Sequence, residues 1–407
     1  MADLGEKTGF DVLVVGGGPV GLTLSLALTR FLPGLKLGLL DRRALSVPKD
    51  ARASAIAAGV RHVFETIGVW DGMAGEANPI AQMKITDSGK TDLSRPLYLR
   101  FDGPKAPHEP FAHMVPNTAS AAALLAASEG QFTVIEPGAV RAFRVEPAQA
   151  VVTLEDGREV SARLVIAADG GKSTLRGLAG IGAFTHDYGQ SGIVTTIAHE
   201  LDHDNVAYEH FRPAGPFASL PLKGNRSSLV WTEQPEHAKS VLAMAESDIA
   251  MAIEAAMGHS LGRVEIVDAV QSFPLGLMLA HNFISPRLAL VGDAAHVIHP
   301  IAGQGLNLGL KDVAVLAEVL VDAARLGEDI GGVDVLGRYQ ARRRADTALM
   351  AMATDGLNRL FSNDIAPVRA VRDFGLSVVD RLGPLKDVFI SQAAGAQGAK
   401  LLKGLPL

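Results

Sequence analysis

The sequence predicts an α/β protein whose parallel, Rossmann-like sheet is interrupted by an antiparallel sheet and followed by C-terminal helices. Three observations support this fold class. The chain opens with a strand, a glycine-rich turn, a helix and a second strand within 41 residues. Residues 185–275 alternate apolar and polar side chains, which is typical of antiparallel strands with one buried face. Short apolar strands ending in Gly or Asp recur near residues 168 and 291, and they extend the parallel sheet.

The first 41 residues predict a βαβ unit. Asp11–Val15 is a short, largely β-branched apolar run, as expected of a buried strand. A helix buried on most of its surface begins at Pro19 and stops at Pro33-Gly34. Lys36–Leu40 is a second apolar strand, and Asp41 follows at its end. A helix between two such strands indicates a parallel pair.

The later elements follow the same two periodicities. A helix containing Arg52 is predicted over residues 51–67, and residues 79–110 predict strands and loops. Asp156-Gly157 between two apolar runs predicts a hairpin, and the run of arginines at 342–344 predicts a solvated helix face. Further strands are predicted over 133–135, 162–168, 194–198, 206–211, 218–221, 227–232 and 288–291, and further helices over 118–128, 235–260, 305–325, 336–363 and the last 40 residues.

Composition excludes several classes of protein. The 407 residues contain no cysteine, which excludes a disulfide framework, a thiolate metal site and a cysteine nucleophile. A net charge of −6 offers no basic surface for nucleic acid, and 48% hydrophobic residues are too many for a disordered chain. Glycine accounts for 43 of the 407 residues, about 11%, against a usual level of roughly 7%. This excess predicts tight turns and close backbone approaches to a ligand.

The N-terminus and the hydropathy indicate a cytoplasmic protein. Residues 1–10 are polar and lack the basic-then-apolar order of a signal peptide. No stretch reaches the roughly 18 apolar residues of a transmembrane helix. Mean hydropathy is nevertheless positive, at +0.20, which leaves peripheral contact with a membrane open.

The first motif is the turn Gly16–Gly21, which reads Gly-Gly-Gly-Pro-Val-Gly. Gly16 permits the tight turn, Gly18 lets the backbone approach a pyrophosphate, and Gly21 allows close contact between helix and strand. The helix N-terminus then supplies free N–H groups to the phosphates, and Asp41 would accept hydrogen bonds from a ribose diol. The alternative is a glycine-rich turn that binds nothing.

The second motif is Asp169-Gly170 with Ser173 and Arg176, directly after a predicted strand. An aspartate at a strand end can hold a ribityl hydroxyl, and glycine permits the close turn that brings the backbone near it. The alternative is an ordinary strand–turn–helix in which Ser173 forms a local cap.

The third motif runs from Gly292-Asp293 to the glycine turn Gly303–Asn307 that opens a long helix. Such a helix N-terminus favours negative charge, and its amides suit a reduced flavin, which carries charge at N1 and the C2 carbonyl. One alternative makes His296 and His299 metal ligands, although no third ligand accompanies them. The other is a structural loop whose histidines are hydrogen-bonded.

The three motifs, in this order and spacing, resemble the aromatic-ring hydroxylases among the flavoprotein monooxygenases, which have a para-hydroxybenzoate-hydroxylase-like fold. More narrowly, residues 299–313 look like the signature of the ubiquinone-biosynthesis hydroxylases. Nearly the whole chain takes part in the resemblance. Other matching stretches are Asp50-Ala51-Arg52, Tyr208-Glu209-His210-Phe211 and Leu360-Phe361-Ser362-Asn363.

The resemblance implies an FAD site. Its ADP half would be bound by the first glycine turn, Asp41 and Arg52, although an arginine in such a position is, taken alone, more commonly a solvated surface residue. Asp169 and Asp293 would meet the sugar or ribityl part and the pyrophosphate, and the Gly303–Asn307 turn would lie along the isoalloxazine ring. The expected cofactor-binding residues are Gly16, Gly18, Pro19, Val20, Gly21, Asp41, Arg42, Arg52, Asn117, Val140, Asp169, Gly170, Gly292, Asp293, Pro300, Gly303, Gln304, Gly305, Leu306 and Asn307.

The activity implied by the resemblance is hydroxylation of the ring of a polyprenylated phenol in ubiquinone biosynthesis. The cycle would use O₂ and a C4a-hydroperoxyflavin. The reductant would be NAD(P)H or another external donor, because the sequence has no second GxGxxG after a strand that would indicate a separate nicotinamide domain. An apolar pocket is expected under the antiparallel sheet, facing the flavin. The apolar tail suggests contact with a membrane or a biosynthetic complex. His210 is the single candidate for a catalytic side chain, the alternative being an exposed strand residue.

Three other functions fit the motifs. One is hydroxylation of a small soluble aromatic compound by the same chemistry. The second is reduction of isoprenoid double bonds, which would proceed without O₂ uptake. The third is a flavin-binding subunit of a biosynthetic assembly that performs no catalysis, which would tolerate loss of the flavin.

The domain organisation implied is a FAD-binding domain interrupted twice. We expect its three parts at residues 1–75, 113–184 and 281–335. Substrate-domain strands are expected at 76–112 and the antiparallel substrate domain at 185–280, with a C-terminal helical segment at 336–407.

Overall fold

The computed structural model describes residues 9–50, 52–87, 97–102, 110–135, 137–361 and 398–407. The strands are β1 (Gly9–Val15), β2 (Leu37–Leu40), β3 (Ala53–Ala57), β4 (Asn78–Ile80), β5 (Gln82–Asp87), β6 (Leu97–Asp102), β7 (Ala112–Pro116), β8 (Thr133–Ile135), β9 (Val140–Val145), β10 (Ala150–Leu154), β11 (Glu159–Ala167), β12 (Ala183–His199), β13 (Val206–Arg212), β14 (Gly215–Leu222), β15 (Arg226–Glu233), β16 (Val264–Ile266), β17 (Gln271–Ala280), β18 (Ile284–Ser285), β19 (Leu288–Leu290) and β20 (His296–Val297). The helices are α1 (Pro19–Phe31), α2 (Ala58–Thr66), α3 (Asp71–Ala74), α4 (Asn117–Ser128), α5 (Thr174–Leu178), α6 (Pro235–Leu242), α7 (Glu246–Ala256), α8 (Gln304–Arg325) and α9 (Val333–Phe361).

The first sheet is centred on β1 and confirms the predicted βαβ unit. Its strand order is β18-β19-β11-β1-β2-β8, and β1 pairs in parallel with both β2 and β11. β8 is parallel to β2, and β19 is parallel to β11. These strands come from three separate stretches of sequence, so the sheet is assembled across the two interruptions.

One strand is longer than predicted. The hairpin arm at 159–160 and the strand at 162–168 are a single strand, β11. Its first half pairs antiparallel with β10, while from Ser161 onwards it also pairs in parallel with β1. Having partners on both edges keeps the backbone extended through the point where the two patterns meet.

The second sheet is largely antiparallel and has the order β20-β17-β12-β15-β14-β13-β5-β6. β12 is its longest strand and pairs with β15, β16 and β17. Helices α6 and α7 pack on it over an apolar cluster that includes Ile197, Val241 and Ile253. The strands predicted within 79–110 appear as β4, β5 and β6, while 88–96 and 103–109 lie outside the described residues.

The predicted helix over 51–67 is wrong in its first half. Residues 53–57 form β3, which pairs antiparallel with β7, and the helix α2 begins only at Ala58. The side chain of Asn307 holds this strand: its Nδ2 donates to Ala55 O at 2.8 Å and its Oδ1 accepts from Ala57 N at 3.0 Å. These partners are about 250 residues away, so local periodicity could not reveal them. Ala51 lies outside the described residues.

Arg343 contradicts the prediction of a solvated face at 342–344. Its side chain lies against α8 and only 3% of the residue is exposed. Its Nε donates to Asp312 Oδ1 at 2.7 Å, and its Nη2 donates to Leu308 O at 3.3 Å. Arg342 does face solvent, with an ion pair to Glu318 at 3.4 Å. Adjacent arginines of this helix therefore differ in environment, Arg342 being exposed and Arg343 buried.

Asp312 is the centre of a buried polar cluster. Its Oδ2 accepts from Gly292 N at 3.0 Å and lies 2.6 Å from His296 Nε2, while its Oδ1 binds Arg343. Burial alone would raise the pKa of Asp312, but the charges and hydrogen bonds of His296 and Arg343 outweigh it and lower the pKa. The cluster joins the Gly292 loop to α8 and α9.

The C-terminal residues return to the first sheet's layer. Leu401 and Leu402 are buried, and His62 Nδ1 lies 3.1 Å from Leu402 O. Residues 362–397, which contain Ser362, Asn363 and most of the predicted C-terminal helix, lie outside the described residues. None of the helices in the described part of the chain combines the length and apolar composition that crossing a bilayer requires.

We expect Arg343→Met to destabilise the flavin-free protein by about 3 kcal/mol or more, because it leaves the buried Asp312 carboxylate without its permanently charged partner. Arg342→Met is the matched control and should cost less than about 1 kcal/mol, since its ion pair is exposed. Urea unfolding of both variants measures the difference. Equal losses would show that the cluster does not carry this stability.

Candidate functional site

A cavity of about 990 Å³ lies between the two large sheets. One side is lined by the glycine turn after β1, by Asp41 and by residues 43–46, 48, 50 and 52–55. The loop from Val291 to Leu306 lines a second side. The opposite wall is the face of the antiparallel sheet, lined by Met83, Gly192, Val194, Ala207, Tyr208, Glu209, Pro216, Ala218, Leu220, Ser228, Leu229, Val230, Thr232, Phe273 and Leu275, and Ile80 of β4 in the small third sheet also lines the cavity. The cavity therefore has a polar backbone-rich end and an apolar end, and it lies where the sequence predicted an apolar pocket.

The three glycines of the first motif occupy sterically different positions. A Cβ on Gly16, whose φ is +118°, would lie 2.2 Å from Ala168 O. A Cβ on Gly21 would lie 2.0 Å from Gly16 O, so α1 packs directly on the turn. A Cβ on Gly18 would meet nothing within 4 Å, because this residue faces the cavity. Gly16 and Gly21 thus shape the turn, whereas Gly18 keeps space open for a ligand.

Asp41 is held at the edge of the cavity by backbone groups. Its Oδ2 accepts from Gly17 N at 2.7 Å and its Oδ1 accepts from Arg43 N at 2.9 Å. The carboxylate is thereby oriented beside the glycine turn, as recognition of a ribose diol requires. Arg43 lines the cavity, whereas the expected Arg42 is exposed outside it.

Arg52 and Asn117 meet at Asp50. Arg52 Nε and Nη2 each donate to Asp50 at 2.8 Å, and Asn117 Nδ2 donates to it at 2.9 Å. Burial raises the pKa of Asp50, but these hydrogen bonds outweigh it and the net shift is downward. The guanidinium also lies 5.1 Å from the ring centroid of Phe273. Asp50, which sequence reasoning did not list as a site residue, therefore positions two that it did.

The third motif forms the opposite end of the cavity. Gly303 adopts a left-handed φ of +61° and opens α8, whose first amides have no acceptor within the helix. Pro300, Gly303, Gly305 and Leu306 line the cavity. Asn307 does not line it, because its side chain is turned to β3. The helix N-terminus supplies N–H groups and the positive end of a dipole to any anionic group placed there.

Asp293 projects into the cavity from the 3₁₀ turn Gly292–Ala294. The carboxyl is open to the cavity yet enclosed by protein, and this desolvation raises its pKa. The charges of His296 and Arg52 offset part of the rise. Gly292, whose φ is +59°, lies close to α8. A Cβ added to Gly309 of that helix would lie only 3.1 Å from the Cα of Gly292.

The second motif ties two loops together. Asp169 Oδ2 accepts from Thr174 N at 2.8 Å, and Ser173 Oγ accepts from Arg176 N at 3.0 Å, so both cap α5. Arg176 donates to Gly171 O at 2.9 Å and to Ala294 O at 2.8 Å. Asp169 Oδ1 is buried and has no hydrogen-bond partner among the described residues. The local-cap alternative therefore describes both side chains, and Asp169, unlike its neighbours Ala168 and Gly170, is not among the residues that line the cavity.

Val140 and His210 also lie away from the cavity. Val140 is in β9, at the far edge of the first sheet, and is not among the cavity-lining residues. The alternative interpretation of His210 as an exposed strand residue is wrong, because only 4% of the residue is exposed. Its Nδ1 lies 2.7 Å from Thr86 Oγ1. Because adjacent residues of a strand point to opposite faces, His210 points away from the face that carries Glu209.

The two histidines of the third motif do not form a metal site. His296 binds Asp312, and His299 is fully buried against the ring of Tyr188, with ring centroids 5.1 Å apart. Burial lowers the pKa of His299 to about 4, so the ring is neutral at physiological pH. In the part of the chain that the structure describes, no three His, Cys, Asp or Glu side chains group as metal ligands would.

Glu209 is the functional candidate that sequence reasoning missed. It lines the apolar wall of the cavity from β13, and only 7% of the residue is exposed. Desolvation raises its pKa to about 7. The alternation of Ala207, Glu209 and Phe211 on one face could have revealed a carboxyl on a buried face.

The geometry fits FAD. The open space at Gly18 and the α1 N-terminus suit a pyrophosphate, and Asp41 suits a ribose. Asp293 can accept from hydroxyl groups, while the α8 N-terminus suits the polar edge of an isoalloxazine ring. These groups follow one another along a single cavity.

Comparison with known proteins agrees with this geometry. A family model described as "FAD binding domain" matches residues 9–354. Ubiquinone hydroxylase UbiL of Rhodospirillum rubrum is 44% identical over 98% of this chain and 93% of its own length. The 3-demethoxyubiquinol 3-hydroxylase of Escherichia coli is 35% identical over 95% of this chain and 98% of its own length.

The fold has solved counterparts. The crystal structure of p-nitrophenol 4-monooxygenase PnpA from Pseudomonas putida superposes with a TM-score of 0.78, covering 97% of this chain and all of that one. Sequence identity is 18%, so this likeness concerns the fold alone. The mixed α/β architecture is that of FAD-dependent aromatic monooxygenases.

The glycine positions predict opposite outcomes for two similar substitutions. Gly18→Ala should leave the flavin-free fold within about 1 kcal/mol of wild type, since its Cβ meets only cavity, but should weaken FAD binding at least about tenfold. Gly21→Ala should destabilise the fold itself, because its Cβ collides with Gly16 O. Thermal unfolding without flavin and FAD titration separate the two effects. Equal behaviour of the variants would refute the assignment.

Burial of Glu209 predicts a pH-dependent stability. A pKa raised from 4.5 to about 7 stabilises the folded state fully below pH 4.5, and this stabilisation is lost as pH rises through about 7. As pH rises from 4.5 to about 8, the free energy of unfolding of the wild type should therefore fall by about 3 kcal/mol relative to that of Glu209→Gln. Both proteins are measured without flavin.

The control is Glu233→Gln, because Glu233 is equally buried on β15, two strands away in the same sheet, but accepts from Trp231 Nε1 at 3.0 Å. Urea unfolding across the pH range measures both variants against wild type. A difference between Glu209→Gln and wild type that does not change with pH would contradict the buried-carboxyl assignment.

Proposed function

This chain belongs to the FAD-dependent hydroxylases of ubiquinone biosynthesis, and on that premise we propose that it hydroxylates the aromatic ring of a polyprenylated phenol with O₂. The observation that carries the proposal is one cavity that joins the FAD-binding turns to the apolar wall of the second sheet. The 44% identity to UbiL over nearly the full length of both chains supports the same substrate class.

The protein's contribution is to bind, orient and shield. FAD, when bound, supplies the activation of O₂ and the transfer of one oxygen atom, the other leaving as water. The Gly16–Gly21 turn, Asp41 and Arg52 would hold its ADP half, and Asp293 its central part. The N-terminal amides of α8 would stabilise negative charge on the reduced ring by hydrogen bonds and by the helix dipole.

The apolar sheet face would receive the aromatic ring of the substrate. Ala218, Leu220 and Val230 present no hydrogen-bonding side chains, so this wall excludes water from the space beside the ring. Exclusion of water protects a reactive oxygen donor from wasteful release of peroxide. The same wall favours an apolar substrate over a charged aromatic acid.

The reductant is external in this proposal. The sequence has one GxGxxG after a strand, and it is used by the cavity described above, so NAD(P)H would act as a diffusing donor. The apolar prenyl tail adds peripheral contact with a membrane or a biosynthetic complex to the proposal. Absence of flotation with liposomes, together with full activity on water-soluble analogues, would count against the membrane contact.

The decisive experiment is a deletion strain analysed by mass spectrometry. We expect accumulation of a ubiquinone precursor that lacks one hydroxyl group, and its disappearance when the wild-type gene is restored. Unchanged ubiquinone would refute the pathway assignment. The purified enzyme with the accumulated precursor and ¹⁸O₂ should incorporate one labelled oxygen, whereas an isoprenoid reductase would consume reductant without O₂.

A variant distinguishes an enzyme from a flavin-binding assembly subunit. Asp293→Ala removes the carboxyl that projects to the centre of the cavity and is expected to empty the flavin site. A catalytic protein so altered will not complement the deletion strain. Complementation by flavin-free Asp293→Ala protein would show that contact with partners, and not hydroxylation, is the function.

A further inference from the structure

Glu209 is a carboxyl group in the apolar wall of the cavity. It lies in the middle of β13, opposite Ala218 of β14 on one side and Ile85 of β5 on the other. Pro216 and Leu220 of β14 line the same wall. Burying a carboxyl among such side chains is costly unless a partner offers a hydrogen bond.

No described residue supplies that partner: the Glu209 carboxyl makes no hydrogen bond or ion pair within the described part of the chain. Glu233, two strands away, shows what a structural carboxyl looks like in this sheet. It is equally buried, but it accepts from Trp231 Nε1 at 3.0 Å and lies 3.5 Å from Arg212 Nη1. Glu209 has no such structural role. The free-energy cost of burying its carboxyl without a partner therefore indicates that a ligand supplies the missing hydrogen bond.

The charged groups around Glu209 do not explain it either. β14 carries no titratable side chain, and Lys84 of β5 points to the other face, where its Nζ lies 3.4 Å from Tyr208 Oη. Asp50, Arg52 and Asp293 line the same cavity. None of them contributes to the shift in the pKa of Glu209, which is raised to about 7 by desolvation alone.

We propose that the Glu209 carboxylate accepts the proton of the substrate's ring hydroxyl. The phenolic O–H bond breaks, an O–H bond forms on Glu209, and the electron pair stays on the phenolic oxygen. The step is redox-neutral and needs no other reactant. The resulting phenolate ring is more electron-rich at its ortho and para carbons, which favours attack on an electrophilic oxygen. This inference rests on the proposed hydroxylase function, since it requires a phenolic substrate.

The position suits this role in two ways. A base whose pKa lies near the working pH combines a usable fraction of carboxylate with a real affinity for the proton. The apolar surroundings also strengthen the hydrogen bond between carboxylate and hydroxyl, because water does not compete for either group.

The direct test observes the proton on Glu209 without turnover. 4-Nitrophenol, a phenol about as acidic as the Glu209 carboxyl, is added to the oxidised holoprotein at about pH 8, where both groups are largely ionised when free. Because two adjacent anions repel each other in an apolar site, the complex should take up one proton from solvent and hold it on Glu209 beside the bound phenolate. We expect the infrared C=O band of a protonated carboxyl to appear in wild type and in Glu233→Gln, and to be absent in Glu209→Gln. No probe binding, no band in wild type, or a band that persists in Glu209→Gln overturns the proposal.

Kinetics supply the second readout. In wild type kcat/KM should rise with pH through about 7, as the carboxylate ionises. Glu209→Gln should lose this limb and at least about tenfold in kcat/KM at pH 8, with a smaller loss for more acidic phenols, while FAD affinity stays unchanged. A retained limb, or a loss that does not depend on phenol acidity, refutes the proton-acceptor role.

The two readouts separate this inference from the function on which it rests. If wild type binds 4-nitrophenol and protonates Glu209 but hydroxylates no phenol, the proposed function fails while the proton acceptor stands. If wild type hydroxylates its substrate and Glu209→Gln does so with the same pH profile, the function stands and the proton acceptor is wrong.

Discussion

The buried carboxylate of Asp312 connects the parts of the molecule that form the site. Through Gly292, His296 and Arg343 it joins the loop after β19, the first half of α8 and the first half of α9. Tyr339, one turn before Arg343, adds a hydrogen bond from its hydroxyl to Leu290 O at 2.7 Å. Because Asp293 and the α8 N-terminus both extend from this cluster into the cavity, one fully desolvated ion pair sets their relative position. Such a pair is sensitive to loss of either member.

The cavity derives its chemistry from a contrast between its two sides. One side presents backbone amides, two helix N-termini and the side chains of Asp41, Arg52 and Asp293, which can bind and orient a charged dinucleotide. The other side is a sheet face of mostly apolar groups, in which Tyr208, Ser228 and Thr232 are the uncharged polar residues. Glu209 adds a carboxyl to that face, and the low polarity that makes its charge costly also brings its pKa near neutrality.

Local patterns predicted the parallel sheet and the glycine turns well, because a buried strand, a tight turn and an amphipathic helix each depend on neighbours within a few residues. They failed where a distant group decides the outcome. Residues 53–57 have the pattern of a helix but pair with β7 and are held by Asn307. Arg343 sits in a run of arginines, yet Asp312 makes its burial favourable. His210 looked exposed, but its ring is buried and lies 2.7 Å from Thr86 Oγ1 of the adjacent strand β5.

The sequence alone determined the family, the FAD-binding turns and the alternation of the second sheet, since each of these is encoded by contiguous residues with a fixed spacing. Only the tertiary structure decided which of the expected residues meet in one cavity. It placed Arg43 there in preference to Arg42, gave Asn307 to the strand β3, and separated Val140 from the site. It also isolated Glu209 among apolar side chains. The physical reason is that burial and hydrogen-bond partnership are properties of the packed sheets, and the groups that create them are far apart along the chain.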